Sequence, residues 1–110
     1  MNVEEARQLA LSLGNVEEYD HFGKPAYRLA PKLAGGKPGR TLMTLWLDER
    51  HAVLMLDVEL QTTLIESNSE AFRPHPTKWG AKGATIAELS KLTPKAFEQA
   101  LRVSFTHAQR

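Results

Sequence analysis

Trp79 stands in the stretch Lys78-Trp79-Gly80-Ala81-Lys82-Gly83, an indole with a lysine on either side. An aromatic ring beside cations can stack on a nucleic-acid base while the ammonium groups meet phosphate. The same ring can fold back over the edge of a core as an apolar lid, which is the more economical of the two readings. The other residues able to do chemistry suggest less. His21, His51, His75 and His107 include no pair at the close spacing of a helical metal site. Surface or capping roles are expected of them, and no metal. The chain has no cysteine, which removes a disulfide framework, a thiolate nucleophile and a thiolate zinc site together. Glu17, Glu18 and Asp20 precede His21, but alternate residues of a short strand face opposite ways, against a shared acid–base site. Gly35-Gly36-Lys37-Pro38-Gly39-Arg40-Thr41 fails as a phosphate loop. Its lysine does not directly precede Ser or Thr, its glycine spacing is wrong, and Pro38 removes a backbone donor. No Gly-x-Ser-x-Gly elbow is present. The expectation is a protein that is not an enzyme and uses no cofactor.

The elements that would position these residues follow from periodicity. Asn2, with Glu5 three residues on, predicts a capped helix over 3–13, its apolar face formed by Val3, Ala6, Leu9, Ala10 and Leu13 and its stop at Gly14. Two short strands are expected near 17–22 and 26–29, around a turn at Gly23-Lys24-Pro25. A glycine- and proline-rich loop over 31–40 follows. Residues 41–47 and 52–56 read as two apolar strands joined through Asp48-Glu49-Arg50-His51, with Trp46 in the core. Apolar strands of this kind are covered on both faces, or covered on one and in contact through the other. Asp57 caps a second helix over 58–67, with Leu60, Leu64 and Ile65 inward, and residues 69–72 read as a further helical turn. Pro74 and Pro76 enforce an extended stretch. A polar loop over 77–83, a strand over 84–89 and a helix begun by Thr93-Pro94 complete the chain. The final stripe is Phe97, Ala100, Leu101, Ser104, Phe105 and Ala108.

At 110 residues, 42% apolar and 25% charged, the chain reads as one ordered domain over residues 1–110. The acidic start and the lack of a long apolar run predict a cytoplasmic protein with no membrane partner. The net charge is only +1, but it is segregated. Residues 21–40 hold five bases (Lys24, Arg28, Lys32, Lys37, Arg40) and no acid, and residues 71–95 hold Arg73, Lys78, Lys82, Lys91 and Lys95 against Glu88. Residues 1–20 and 41–70 are acidic. Two basic segments that meet in space make a basic face; apart, they are merely solvated.

Two stretches resemble a known family. One runs from Leu9 through Gly14-Asn15-Val16-Glu17-Glu18-Tyr19-Asp20-His21-Phe22-Gly23-Lys24-Pro25 to Tyr27. The other runs from Phe72-Arg73-Pro74 through Trp79-Gly80-Ala81-Lys82-Gly83-Ala84-Thr85 into a strand and a last helix. Together, and in the order of the elements between them, they resemble the MmcQ/YjbR-like family over nearly the whole chain. The second stretch departs from the pattern at Ala84, where the family often carries an aromatic. The resemblance implies an α+β fold, an antiparallel sheet with the N-terminal and C-terminal helices packed against it, related in shape to frataxin. It also implies DNA binding through a double-wing arrangement. The wing-like candidates are the loop with Lys32, Lys37 and Arg40 and the loop from Arg73 to Lys82. Frataxin-like iron binding does not transfer, because helix 1 offers only Glu4 and Glu5.

The leading expectation is a DNA-binding domain making weak or nonspecific phosphate contacts through Lys24, Arg28, Lys37, Arg40, Arg73, Lys78 and Lys82, with Trp79 stacking. The alternative is a non-catalytic module that binds a protein or a small ligand through the apolar hairpin or a pocket near His21, Lys24 and Trp79.

Overall fold

The Asn2 side chain accepts a hydrogen bond from the Glu5 amide at 2.8 Å, and the Glu5 carboxylate accepts one from the Asn2 amide at 3.1 Å. This reciprocal cap starts α1, Val3–Leu11, in the computed structural model, which describes residues 1–110. The helix stops two residues before the periodicity does, because Leu13 already belongs to the turn through Gly14 and Asn15, both at positive φ. Strands β1, Val16–His21, and β2, Lys24–Leu29, form a hairpin with Asp20 opposite Pro25 and His21 opposite Lys24. The turn is therefore Phe22-Gly23, not Gly23-Lys24-Pro25. Both of its residues sit at positive φ, as a tight two-residue hairpin of the primed type requires.

Strand β3 is Thr41–Trp46 and β4 is His51–Leu54. Helix α2, Val58–Ser67, is capped by Asp57, whose carboxylate accepts from the Leu60 amide at 2.8 Å. The helical turn expected over 69–72 is instead a turn leading into strand β5, Phe72–Pro74. Pro74 is tolerated there because β5 lies at the sheet edge, where a missing N–H costs no ladder bond. The polar loop expected over 77–83 contains one turn of helix, α3, Lys78–Ala81. Strand β6 is Thr85–Glu88, followed by a short 3-10 turn over Leu89–Lys91. Helix α4, Pro94–Ala108, starts at Thr93, whose hydroxyl accepts from the Ala96 amide.

The sheet has six strands in the order β1-β2-β3-β4-β6-β5, every pair antiparallel. The fold is α+β, with the two terminal helices on one face of the sheet. Register separates the two faces. Tyr27, Met43 and Leu54 are paired in one row, and Leu45, Ala52, Ala87 and Phe72 in the next. Both rows are buried with Ala6 and Ala10 of α1 and Phe97, Ala100 and Leu101 of α4. Arg7 of α1, Glu18 of β1 and Tyr27 of β2 add a polar tie at this layer. Glu18 accepts from the Tyr27 hydroxyl at 2.6 Å and from Arg7 Nε at 2.8 Å. The Tyr27 hydrogen bond, and then Arg7, hold the Glu18 carboxyl below its ordinary range. Burial pushes the Tyr27 phenol up, so it stays a donor.

The alternate row, Tyr19, Ala26, Thr44, Val53, Ile86 and Arg73, points the other way. Val53, Ala84 and Ile86 form a separate small apolar cluster there with Trp46 and Met55. Trp46 is thus not a residue of the main core, because it shares the parity of Thr44 and not that of Leu45. No helix of the chain is long and apolar enough to cross a membrane.

Candidate functional site

Strand parity puts Tyr19, His21, Lys24, Thr44, Trp46 and Val53 on the face away from the terminal helices. All of these except Tyr19 form one wall and the floor of a concavity of about 380 Å³. The other wall comes from the segment between β5 and β6: His75, Thr77, Trp79 and Ala84. Phe22 and Met55 complete the lining.

The floor is held by side-chain geometry. Trp46 Nε1 donates to Thr44 Oγ1 at 3.1 Å, which leans the indole back over its own strand. Lys24 Nζ lies 4.4 Å from the centroid of that ring, a cation on an aromatic face. The His75 and His51 rings lie 5.4 Å and 5.6 Å from it, centroid to centroid. His51, 7% exposed, is therefore not the surface or capping residue expected, whereas half-buried His75 does cap its turn, its Nδ1 accepting from the Thr77 amide at 3.3 Å. His75 is paired beside Ala84 on the open face, its amide donating to Ala84 O at 2.9 Å.

The Trp79 wall is fixed by close backbone approach. Thr77 caps α3, its hydroxyl accepting from the Trp79 amide at 3.2 Å while bonded to His75 Nδ1 at 2.8 Å. A Cβ at Gly80 would lie 1.8 Å from His75 O, so only glycine lets the turn sit where it does. The buried Gln61 side chain of α2 donates to Gly80 O at 2.9 Å and to Ala84 O at 3.0 Å, tying both ends of the turn to one helix. With this support Trp79 remains 56% exposed and Phe22 remains 90% exposed, so Trp79 is not a lid sealed onto the core.

The basic residues divide into three groups. Lys24 lines the concavity, and Lys78 and Lys82, both exposed, flank Trp79. Arg28 and Arg73 lie on the open face but are already matched. Arg28 pairs with Glu17 at 3.0 Å and stacks 4.3 Å above Tyr19, and Arg73 pairs with Glu88 at 3.1 Å. Lys37 and Arg40 are exposed on the β2–β3 loop. Arg40 O accepts from the Leu29 amide at 3.1 Å, which places this loop at the end of β2 away from Lys24. Register puts the β2–β3 loop and the β5–β6 segment at the same end of the sheet, because Thr41, Leu54, Thr85 and Pro74 all lie there. Three strand spacings separate them, about 14 Å. No carboxylate lines the concavity.

Glu17 and Glu18 face opposite sides of β1, with Glu17 on Arg28 and Glu18 on Tyr27, so the two carboxylates share no site. No group of three or more His, Asp or Glu side chains is close enough to hold a metal ion. The concavity has aromatic walls and one cation, Lys24, which suits binding a planar or anionic group.

His51 is 7% exposed and its Nε2 is buried without a hydrogen-bond partner. Burial lowers its pKa, with Arg73 and His75 acting the same way and Glu88 and Glu49 opposing. The unfolded chain therefore takes up this proton more readily than the folded one. Its contribution to stability is complete above the ordinary imidazole value near 6.5 and is lost as pH falls from there toward the lower folded value. Thermal melts between about pH 7.5 and pH 5 should show a drop in midpoint that is reduced in His51→Gln. Equal pH profiles for the two proteins would contradict it.

Comparison of the chain with family models, curated proteins and solved structures gives no match.

Proposed function

We propose that the domain binds nucleic acid weakly and without sequence preference, through phosphate contacts made by the basic residues around its open sheet face. The observation that carries this reading is the placement of Lys37 and Arg40 at the same sheet end as Lys78 and Lys82, with Lys24 on the open face toward the opposite end. A span of about 14 Å corresponds to about four nucleotides of a B-form strand, at about 3.4 Å each. Lysines and arginines on phosphate fix position and carry no base information, so affinity should be similar across sequences. Arg28 and Arg73 contribute less, because Glu17 and Glu88 compete with phosphate for them. A net charge of +1 keeps the overall attraction mild. The family resemblance points to DNA as the nucleic acid and to a double-wing use of the same two segments. The chemistry is binding and not turnover, and the chain's composition suits a cytoplasmic protein.

A labelled DNA oligonucleotide titrated with the full chain at low salt tests this. Binding is expected with Kd of about 1–100 µM at physiological salt, tightening as salt is lowered. No change in anisotropy up to high micromolar protein would end the proposal. The second reading, a non-catalytic small-ligand module, is favoured by one observation: the concavity of about 380 Å³ falls within the size range of small-molecule sites.

A further inference from the structure

We infer that the concavity holds one unpaired base, so that the domain prefers single-stranded to duplex nucleic acid. This rests on the nucleic-acid reading above and assigns the concavity within it.

Two aromatic residues of the rim are left largely unburied. Phe22 is 90% exposed and sits at φ 52. A bulky side chain in the left-handed region is uncommon and carries a conformational cost, and an exposed ring recovers none of it by burial. Glycine or asparagine would make the same turn more easily. Trp79, 56% exposed, faces the same space from the opposite wall. Two aromatic rings left open around one concavity mark a contact surface.

The interior suits a base. Trp46 is locked by its hydrogen bond to Thr44, and the apolar surface beside it comes from Val53, Met55 and Ala84. Ala84 is 5% exposed, and a larger side chain there would project into the space. The volume is ample for one base. Two of the polar groups nearby are already committed: Thr44 to Trp46, and His75 Nδ1 to Thr77. Recognition by stacking, with little hydrogen-bond reading, gives tolerance of base identity.

Charge selects this occupant over an apolar protein side chain. No carboxylate lines the space, Lys24 lies over Trp46, and Lys78 and Lys82 flank the Trp79 wall. A base delivered with phosphates on either side satisfies the rings and the lysines together. In a duplex the bases are paired and stacked, and only the phosphates remain available.

The test compares a short thymidine single strand, an abasic strand of equal length and a duplex, by anisotropy and by tryptophan fluorescence. The thymidine strand is expected to bind about tenfold more tightly than the abasic strand and to quench the fluorescence. Ala84→Phe and Phe22→Gly should each reduce thymidine binding to the abasic level and leave abasic binding unchanged. Phe22→Gly should melt no lower than the parent protein, which keeps the test sound if Ala84→Phe fails to fold. Equal, salt-sensitive binding of thymidine and abasic strands would overturn the base pocket while leaving the phosphate reading in place. Duplex binding as tight as thymidine binding would overturn it too. No binding to any of the three would overturn both.

Discussion

Gly80→Ala is expected to destabilise the domain by about 3 kcal/mol and to lower its melting midpoint on the order of 10 °C. The added Cβ would lie 1.8 Å from His75 O and 2.8 Å from its carbonyl carbon, contacts with backbone that no rotamer change can relieve. Either α3 moves away from the β5 end or His75 does. Moving α3 pulls Gly80 O away from Gln61 Nε2, and a buried amide donor that loses its acceptor adds its own desolvation cost. Moving His75 breaks its pairing beside Ala84 and its contact with Trp46. In both cases the Trp79 wall is displaced, so thymidine-strand binding should fall together with stability. A variant that melts like the parent protein would mean that α3 is held less tightly than this geometry requires.

The second large effect is electrostatic. Replacing Lys78 and Lys82 together by glutamate should weaken binding to every DNA sequence alike, on the order of tenfold or more at low salt. Both side chains are exposed, and neither takes part in an ion pair. Surface substitutions of this type shift stability by about 0.5 kcal/mol or less, so melting should be nearly unchanged. A loss of binding confined to one sequence would instead point to base reading by these lysines.

Much of the fold was legible because local rules and tertiary packing agree. Asn2 with Glu5, Asp57, and Thr93 with Pro94 each start a helix where the sequence says. The failures lie where contacts distant in sequence decide the outcome. Phe72 lacks a strand signal of its own, and it becomes one by pairing with Ala87 on β6. Residues 78–81 carry a glycine and are flanked by polar residues, so they read as loop, yet Gln61 from α2 and the backbone at His75 fold them into a helical turn. At the hairpin, Pro25 drew the expected turn one residue late; the register instead sets Phe22 and Gly23 at its apex.

The candidate site was legible in part. Lys24, His21 and Trp79 were singled out together, and all three line the concavity. Trp46 was missed because β3 is apolar at most positions, which hides its alternation. The polar Thr44 two residues earlier was the available signal, since residues two apart on a strand share a face. His75 and Ala84 could not be read from spacing, because they meet only through the pairing of β5 with β6. The segregation of charge was visible as counts along the chain. That the two basic segments leave the same end of the sheet follows from strand order, which no local pattern encodes.

The most direct measurement is the dependence of DNA affinity on salt for the parent protein, for Lys78→Glu with Lys82→Glu, and for Lys37→Glu with Arg40→Glu. On single strands each lost phosphate contact should flatten the slope of log affinity against log salt by about 0.7. Each double variant should therefore flatten it by about 1.4 if both cations of its pair meet phosphate, and the two pairs should act together on one strand. A parent slope near zero, or slopes unchanged in both double variants, would contradict phosphate binding by the two basic segments.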